Sequence, residues 1–335
     1  MKASDFDYHL TEEQIAYYPL DQRQNSRLLM LKRKSGEITH RKFFELPQIL
    51  NPGDLLVLNN TKVIPVRLYG NRKSGKKIEI LLVNKITEKV WECLVKNPKN
   101  NEELLFDGDL RAVLFRTETN DWIIKFEAEV DEYIEQHGKM PLPPYINREA
   151  EESDKITYQT VYADLKGAIA APTAGLHFTT GLLDEIKSRG VTIEYVTLHV
   201  GIGTFKPVKV ENINDHNIHG EYRVISETAA SAINEAKAEG RRVVAVGTTV
   251  VRTLESSVNE AGKVTASSGQ TDLFITPGFE FKVVDALITN FHLPRSTLLM
   301  LVAAFSGYEN IFKAYEEARE KGYRFLSYGD AMFIN

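Results

Sequence analysis

The hydrophobic pattern of this chain changes period part-way along, and no single layer architecture accommodates both periods. Residues 63–68, 78–83, 90–95, 110–115 and 122–126 are short apolar runs separated by polar turns, the signature of an antiparallel sandwich or barrel. A short helix is expected over 129–136, and the Pro-rich stretch 139–145 reads as an extended linker. Beyond it, helical segments at 181–189, 227–239, 250–258 and 310–321 alternate with apolar strands at 191–196, 242–246 and 286–288. That alternation predicts a largely parallel sheet covered by helices. Near the start, 28–31 and 38–43 form a hairpin about Ser35-Gly36, and a turn at Asn51-Pro52-Gly53-Asp54 precedes a strand at 55–58. The expected fold class is therefore α/β: a mostly parallel α/β sheet domain of residues 1–61 and 151–335, with an antiparallel β-barrel domain inserted at 62–150.

The chain of 335 residues is long enough to bury two cores. With 43% apolar and 26% charged residues, bulk disorder is excluded. The apolar run 298–305 is too short to cross a bilayer, and the first nine residues hold no apolar stretch, so neither a membrane anchor nor a cleaved leader is expected. Cys93 is the single cysteine, which rules out an intramolecular disulfide and multi-cysteine metal sites and suits the cytoplasm. The net charge is −5, yet residues 62–99 carry ten Lys or Arg against three Glu, a local excess of seven positive charges. A basic strip on an acidic protein would attract a polyanion, although a solvated lysine-rich hairpin has the same composition.

Three segments are not explained by packing. Residues 170–178 read Ala-Ala-Pro-Thr-Ala-Gly-Leu-His-Phe, so a nearly side-chain-free loop presents Thr173 and His177 just before a helix capped by Thr179 or Thr180. Residues 197–207 place His199, Gly201, Gly203 and Thr204 after one apolar strand, and 289–297 place Asn290, Phe291 and His292 after another. Histidine-bearing loops at strand ends outline an active site of an α/β sheet and point to an enzyme. A fourth strand end, Gly247-Thr248-Thr249 before a helix carrying Arg252, suits an anion such as a carboxylate, or else is a plain cap with Arg252 solvated or paired to Glu255.

Other motifs fail on inspection. Gly70 to Lys77 nearly matches a phosphate-binding loop, but Lys77 stands where Ser or Thr must hold magnesium and a strand follows. Gly201-Ile-Gly203 lacks the third glycine and the helix of a dinucleotide fingerprint. His216 and His219 lie on one face of a helical turn, with Asp215 or Glu221 able to help, but that ligand set is incomplete, so no metal is expected.

Taken together, these segments resemble one family. The resemblance runs through Asp5-Phe-Asp-Tyr8, Pro19-Leu-Asp-Gln-Arg-Gln-Asn-Ser-Arg27, Asn59-Asn-Thr-Lys-Val-Ile-Pro-Val-Arg67 and Ala171-Pro-Thr-Ala-Gly-Leu-His-Phe178. It continues through Leu198-His-Val-Gly-Ile-Gly-Thr-Phe-Lys-Pro-Val208, His216-Asn-Ile-His-Gly-Glu221, Gly247-Thr-Thr-Val-Val-Arg252, Thr289-Asn-Phe-His-Leu-Pro-Arg-Ser-Thr297 and Tyr323-Arg-Phe-Leu-Ser-Tyr-Gly-Asp330. The chain is similar, over its whole length, to the S-adenosylmethionine:tRNA ribosyltransferase-isomerases of queuosine biosynthesis. The resemblance implies a cytoplasmic transferase that moves and isomerises the ribosyl part of S-adenosylmethionine onto 7-aminomethyl-7-deazaguanine at the wobble position of tRNA. Epoxyqueuosine-tRNA, adenine and methionine result, with no metal or other cofactor beyond S-adenosylmethionine as co-substrate. A monomer is expected.

For that chemistry, His177, His292 and His199 are the acid–base candidates, their order of roles open. Arg252 with Thr248 and Thr249 would hold the methionine carboxylate. Gly175, Gly201 and Gly203 would let backbone approach the nucleoside, Phe178 or Phe291 would stack on adenine, and Thr173, Thr204 and Asn290 complete the substrate-binding set. Arg23, Arg27, Arg67, Arg72, Lys73, Lys76 and Lys77 are the candidates for tRNA phosphates. An ordinary methyltransferase, a metal hydrolase on His216 and His219, and a non-catalytic RNA-binding module are the rival classes.

Overall fold

The computed structural model describes residues 1–201, 203, 208, 210–218 and 220–335. The chain forms two compact units, one of residues 1–62, 144–148 and 159–335 and the other of 63–143 and 149–158.

In chain order the first elements are β1 (Arg27–Leu31), β2 (Ile38–Lys42), the one-turn α1 (Leu46–Ile49), β3 (Leu55–Asn59) and β4 (Thr61–Val63). The smaller unit then builds β5 (Arg67–Arg72), β6 (Lys77–Thr87), β7 (Val90–Val95), β8 (Glu102–Leu105), β9 (Arg111–Arg116) and β10 (Trp122–Phe126). These six strands close into an antiparallel barrel in the order β10-β7-β6-β5-β8-β9. Closure follows from the period-two pattern: Ile78, Ile80 and Leu82 of β6, Trp91 and Cys93 of β7, and Ala112 and Leu114 of β9 all point inward and are buried. The register slips between Leu82 and Asn84 and again between Lys85 and Thr87, bulges that bend the long β6. Burial pushes the Cys93 thiol up to about 12, so it is an inert core residue. The sequence pattern missed β8, because in Glu102-Glu103-Leu104-Leu105 only Leu104 turns inward.

After α2 (Asp131–His137) and α3 (Asp154–Thr157) the chain continues with β11 (Leu165–Ala168), α4 (Thr180–Ser188), β12 (Thr192–Leu198), β13 (Glu221–Ile225), α5 (Glu227–Ala238) and β14 (Val243–Val246). Then come α6 (Thr248–Glu255), β15 (Ser267–Thr271), β16 (Ala286–Asn290), α7 (Thr297–Ser306), α8 (Tyr308–Glu320) and β17 (Ala331–Ile334). The large unit is organised by a nine-stranded sheet in the order β15-β13-β12-β3-β14-β16-β17-β1-β2. Its centre, β12-β3-β14-β16, is parallel throughout, and antiparallel partners flank it on both sides.

The central strands are apolar at nearly every position because both sheet faces are covered. Leu55 and Val57 face one core with Ile233, Val250, Leu254 and Met300, whereas Leu56 and Leu58 face the other with Leu46, Phe178, Leu183 and Ile186. Strands β13, β15 and β17 and the helix α7 are additions to the elements expected from sequence. Ser267-Ser-Gly-Gln-Thr271 has no strand-like composition and is held by β13 alone, and α7 is apolar nearly all round, so it shows no amphipathic stripe.

Helix N-termini of this unit differ in one respect that positions the site. Thr179, Ser226 and Ser296 cap α4, α5 and α7 by accepting backbone N–H bonds from Leu182, Ala229 and Leu299. The cap position of α6 is Gly247 at φ +92°, with no side-chain cap, so its first amides remain open to whatever lies in front of them. Among the described residues no helix is long and apolar enough to cross a membrane.

Candidate active site

The parallel strands β12, β3, β14 and β16 run in one direction, so their carboxyl ends share one edge of the sheet, where α/β proteins collect ligands. A cavity opens there, within the large unit. Its walls come from residues 170–174, Val200, Gly247 to Thr249, Thr289 to Leu293 and the segment at Leu326 and Ser327. No Asp, Glu, Lys or Arg lines it among the described residues.

Buried amides tie the strand ends together. Asn59 ends the apolar β3, and its Nδ2 donates to the Leu198 carbonyl (3.0 Å) and to Thr249 Oγ1 (3.2 Å). Its Oδ1 accepts from the backbone amides of Leu198 and Thr61, at 3.1 Å each. Sequence reasoning did not place Asn59 in the site; the available signal was a carboxamide closing an otherwise apolar strand. Asn290 does the same for β16. It accepts from Thr173 Oγ1 (2.9 Å), and its Nδ2 lies 3.2 Å from both the Leu326 carbonyl and His177 Nε2.

The three histidines occupy different settings. His177 is buried, with Nδ1 on Ser26 Oγ at 2.8 Å and Nε2 on Asn290, and its ring tilts against Phe43. Burial pulls it down to about 4, although the Asp330 carboxylate and the Arg23 carbonyl favour its charged form. His292 lines the cavity, with Nε2 2.9 Å from Thr289 Oγ1 and its backbone amide donating to Tyr315 Oη at 2.9 Å. Tyr8 Oη donates to its carbonyl, and desolvation pulls the ring down to about 3. His199 is half-buried, with Nδ1 2.7 Å from Thr61 Oγ1 and its ring parallel to that of Tyr222; burial lowers its pKa as well.

The structure brings together Thr173, Asn290, His292, Thr248 and Thr249 around the cavity and leaves several candidates elsewhere. Thr248 and Thr249 lie inside α6, which starts two residues earlier than the sequence pattern suggests. Phe178 is fully buried edge-on to Phe43, and Phe291 is fully buried among Tyr315, Tyr323 and Phe325. Phe178 is core and absent from the cavity lining, whereas Phe291, though buried, is one of the lining residues. Gly175 is required by the protein's own packing: a Cβ there would lie 2.1 Å from the Tyr162 hydroxyl and 2.8 Å from Thr160 Cγ2. Arg252 is not among the residues lining the cavity. Its Nε donates to the Leu273 carbonyl (3.0 Å), one terminal nitrogen donates to the Thr271 carbonyl (3.3 Å), and the other pairs with buried Glu221 rather than Glu255. The second oxygen of Glu221 accepts the Gly201 amide at 2.8 Å, so this ion pair anchors the start of the glycine-bearing loop. Gly203 is half-buried, and Thr204 lies outside the described residues.

The match to known proteins is complete in length. Residues 3–334 fit the family model described as "Queuosine biosynthesis protein". The chain belongs to this family. Proteins called S-adenosylmethionine:tRNA ribosyltransferase-isomerase from Halothermothrix orenii and Carboxydothermus hydrogenoformans are 52% and 53% identical, each comparison covering 100% of both chains. One from Finegoldia magna is 51% identical over 100% of this chain and 99% of its own. The crystal structure of S-adenosylmethionine tRNA ribosyltransferase from Thermotoga maritima is 41% identical, with a TM-score of 0.58 over 99% of this chain and 100% of that one.

In this member of the queuosine biosynthesis family, the basic candidates are unequal. Lys73, Lys76 and Lys77 are exposed on the barrel, Lys73 in an ion pair with Glu103. Arg72 is engaged inside the barrel unit: it pairs with Glu102, both side chains being nearly buried, and donates to the Asn97 carbonyl at 2.8 Å. Arg67 pairs with Glu79 and reaches the Leu142 carbonyl. In the large unit, Arg23 donates to the Gln159 carbonyl, and Arg27 pairs with Asp330 while lying over the Tyr323 ring. His216 meets the Phe274 ring edge-on, and His219 lies outside the described residues. No group of three or more His, Cys, Asp and Glu is placed to hold a metal among the described residues.

Proposed function

We propose that this chain transfers and isomerises the ribosyl moiety of S-adenosylmethionine onto 7-aminomethyl-7-deazaguanine at the wobble position of tRNA, giving epoxyqueuosine-tRNA, adenine and methionine. The observation that carries the reading is the full-length match, above half identity, to relatives named for that transfer. The cavity supports it. A wall with no charged side chain among its described residues gives a sulfonium cation little compensation for its lost hydration, which favours steps that discharge it.

In this reading the sulfonium acidifies the neighbouring 5′ C–H bonds and a neutral imidazole removes a proton, while glycosidic cleavage needs a donor near adenine. His177, His292 and His199 are all kept neutral by burial, the state a base requires near pH 7. Methionine leaves as a neutral thioether and needs no acid. With Arg252 committed to Glu221, the methionine carboxylate is assigned to the open amides and hydroxyls of Thr248 and Thr249. Gly201 and Gly203 border the nucleoside, and S-adenosylmethionine is the only co-substrate this reading requires.

The tRNA phosphates are assigned to the exposed Lys73, Lys76 and Lys77, with Arg67, Arg23 and Arg27 as secondary contacts. The target base lies in a single-stranded loop and can be turned out into a pocket at modest cost. A tRNA substrate places the enzyme in the cytoplasm, and it is taken to act as a monomer, with residues 62–150 as its tRNA-binding domain.

Incubation of the full chain with S-adenosylmethionine and tRNA carrying the precursor base decides the matter by nucleoside mass analysis. Adenine and methionine should appear with a modified tRNA. S-adenosylhomocysteine instead would make the chain a methyltransferase and remove the proposal.

A further inference from the structure

His177 and His292 present themselves differently, and the difference can be traced to single atoms. The carboxamide of Asn290 has a unique orientation, because a carbonyl can only accept and the Leu326 carbonyl lies 3.2 Å from Nδ2. The same nitrogen faces His177 Nε2, which must therefore be the accepting nitrogen of a neutral ring. The ring proton then sits on Nδ1 and points at Ser26 Oγ, 2.8 Å away. On the other side, Asn290 Oδ1 accepts from Thr173 and keeps a second lone pair. Both ring nitrogens of His177 are thus committed, and His177 is not among the residues lining the cavity. His292 does line it, with Nε2 on Thr289 and no described residue hydrogen-bonded to Nδ1.

We propose that Ser26, His177, Asn290 and Thr173 form a positioning relay that aims the Asn290 carboxamide into the cavity, while His292 Nδ1 is the group that exchanges a proton with substrate. His177 acts through Asn290. If its Nε2 gained a proton, two donors would face each other and the carboxamide would have to turn, losing its bond to the Leu326 carbonyl and turning its oxygen away from the Thr173 hydroxyl. The free lone pair of Asn290 Oδ1 suits a ribose hydroxyl or an exocyclic amine of the ligand. The division of labour rests on the proposed ribosyl transfer, whereas the tautomer of His177 does not.

Two measurements test it on the full-length protein. The first is steady-state release of adenine from S-adenosylmethionine in the presence of precursor tRNA, with circular dichroism confirming each variant's fold. His292→Gln should lower kcat by about 10²–10⁴-fold, the range of a lost acid–base group. His177→Gln puts an accepting oxygen where Nε2 was, so its loss should stay below about tenfold with the parent's pH profile. His177→Ala, which frees Asn290, should raise KM for S-adenosylmethionine more than it lowers kcat. The proposal is overturned if His177→Gln falls as far as His292→Gln, or if His292→Gln stays within tenfold of the parent.

The second measurement needs no turnover. Nitrogen-15 NMR of labelled imidazoles should show His177 as the Nδ1–H tautomer from pH 8 to 5. An Nε2–H tautomer or a charged ring in that range overturns the relay. A parent that releases no adenine removes the ribosyl-transfer reading, while the tautomer still decides the relay.

Discussion

Two ion pairs, one in each unit, do opposite work. In the sheet unit, Arg252 and Glu221 have side chains only 9% and 8% exposed, and their pairing holds the loop that begins at Gly201. In the barrel, Lys73 and Glu103 make an ion pair of ordinary length, 3.0 Å, yet are 76% and 61% exposed. The first pair has left water almost completely, so each partner now depends on the other. The second remains hydrated and screened, and its lysine stays available to another anion. Ion-pair distance therefore says little about role, and burial says most of it.

The largest expected effect tests the buried member. Arg252→Ala strips Glu221 of its guanidinium and should destabilise the protein by about 3–5 kcal/mol, read from denaturant unfolding. A loss below about 1 kcal/mol, with weaker S-adenosylmethionine binding instead, would return Arg252 to the ligand and erase the contrast. Gly175→Ala should come next. Its Cβ would meet the Tyr162 hydroxyl at 2.1 Å, an overpacking that costs about 1–3 kcal/mol. Unchanged stability with lost activity would show that Gly175 serves the substrate.

Acid provides a smaller and continuous perturbation. Burial holds His177 at about 4 and His292 at about 3, below the unfolded value of about 6.5, so the unfolded chain takes up protons first. Stability is full above that unfolded value and declines as pH falls from it towards 4. Each ring should cost about 1 kcal/mol between pH 6.5 and 5.5. His177→Gln should remove its share of that slope, and a parent-like slope in the variant would mean the ring is not buried neutral.

The smallest stability effect belongs to the barrel lysines. Replacing Lys73, Lys76 and Lys77 by Gln should change stability by less than about 1 kcal/mol. The log–log salt slope of tRNA binding should nonetheless fall by roughly 0.7–0.9 for each phosphate that is no longer neutralised. Adding Arg72→Gln should not lower it further, since that guanidinium is spent on Glu102. A salt slope equal to the parent's in the triple variant would leave these lysines with solvation alone.

Much of this was legible in the chain itself. Period-two runs announced the barrel, and the apolar run 55–58 announced the strand β3. The strand ends could be read too, because Thr173, Asn290 and His292 interrupt apolar segments where packing alone would have placed hydrophobic residues. Elements with weak intrinsic signals were lost. Strand β15 reads Ser-Ser-Gly-Gln-Thr and exists because β13 offers it a ladder, and α7 carries no polar face to reveal its period.

Local pattern therefore determined the strongly periodic strands and helices and which polar residues stand near their ends, since each of these depends on neighbours a few positions away. Only the tertiary structure decided which polar groups face the cavity and which face each other. Glu221 and Arg252 are 31 residues apart, Asn290 and His177 are 113, and Ser26 and His177 are 151. A hydrogen bond is satisfied by whichever group the fold brings within about 3 Å. Phe178 and His177, adjacent in sequence, illustrate the consequence: the ring of one fills the core beneath the sheet, and the other hands its hydrogen bond to an asparagine from a different strand.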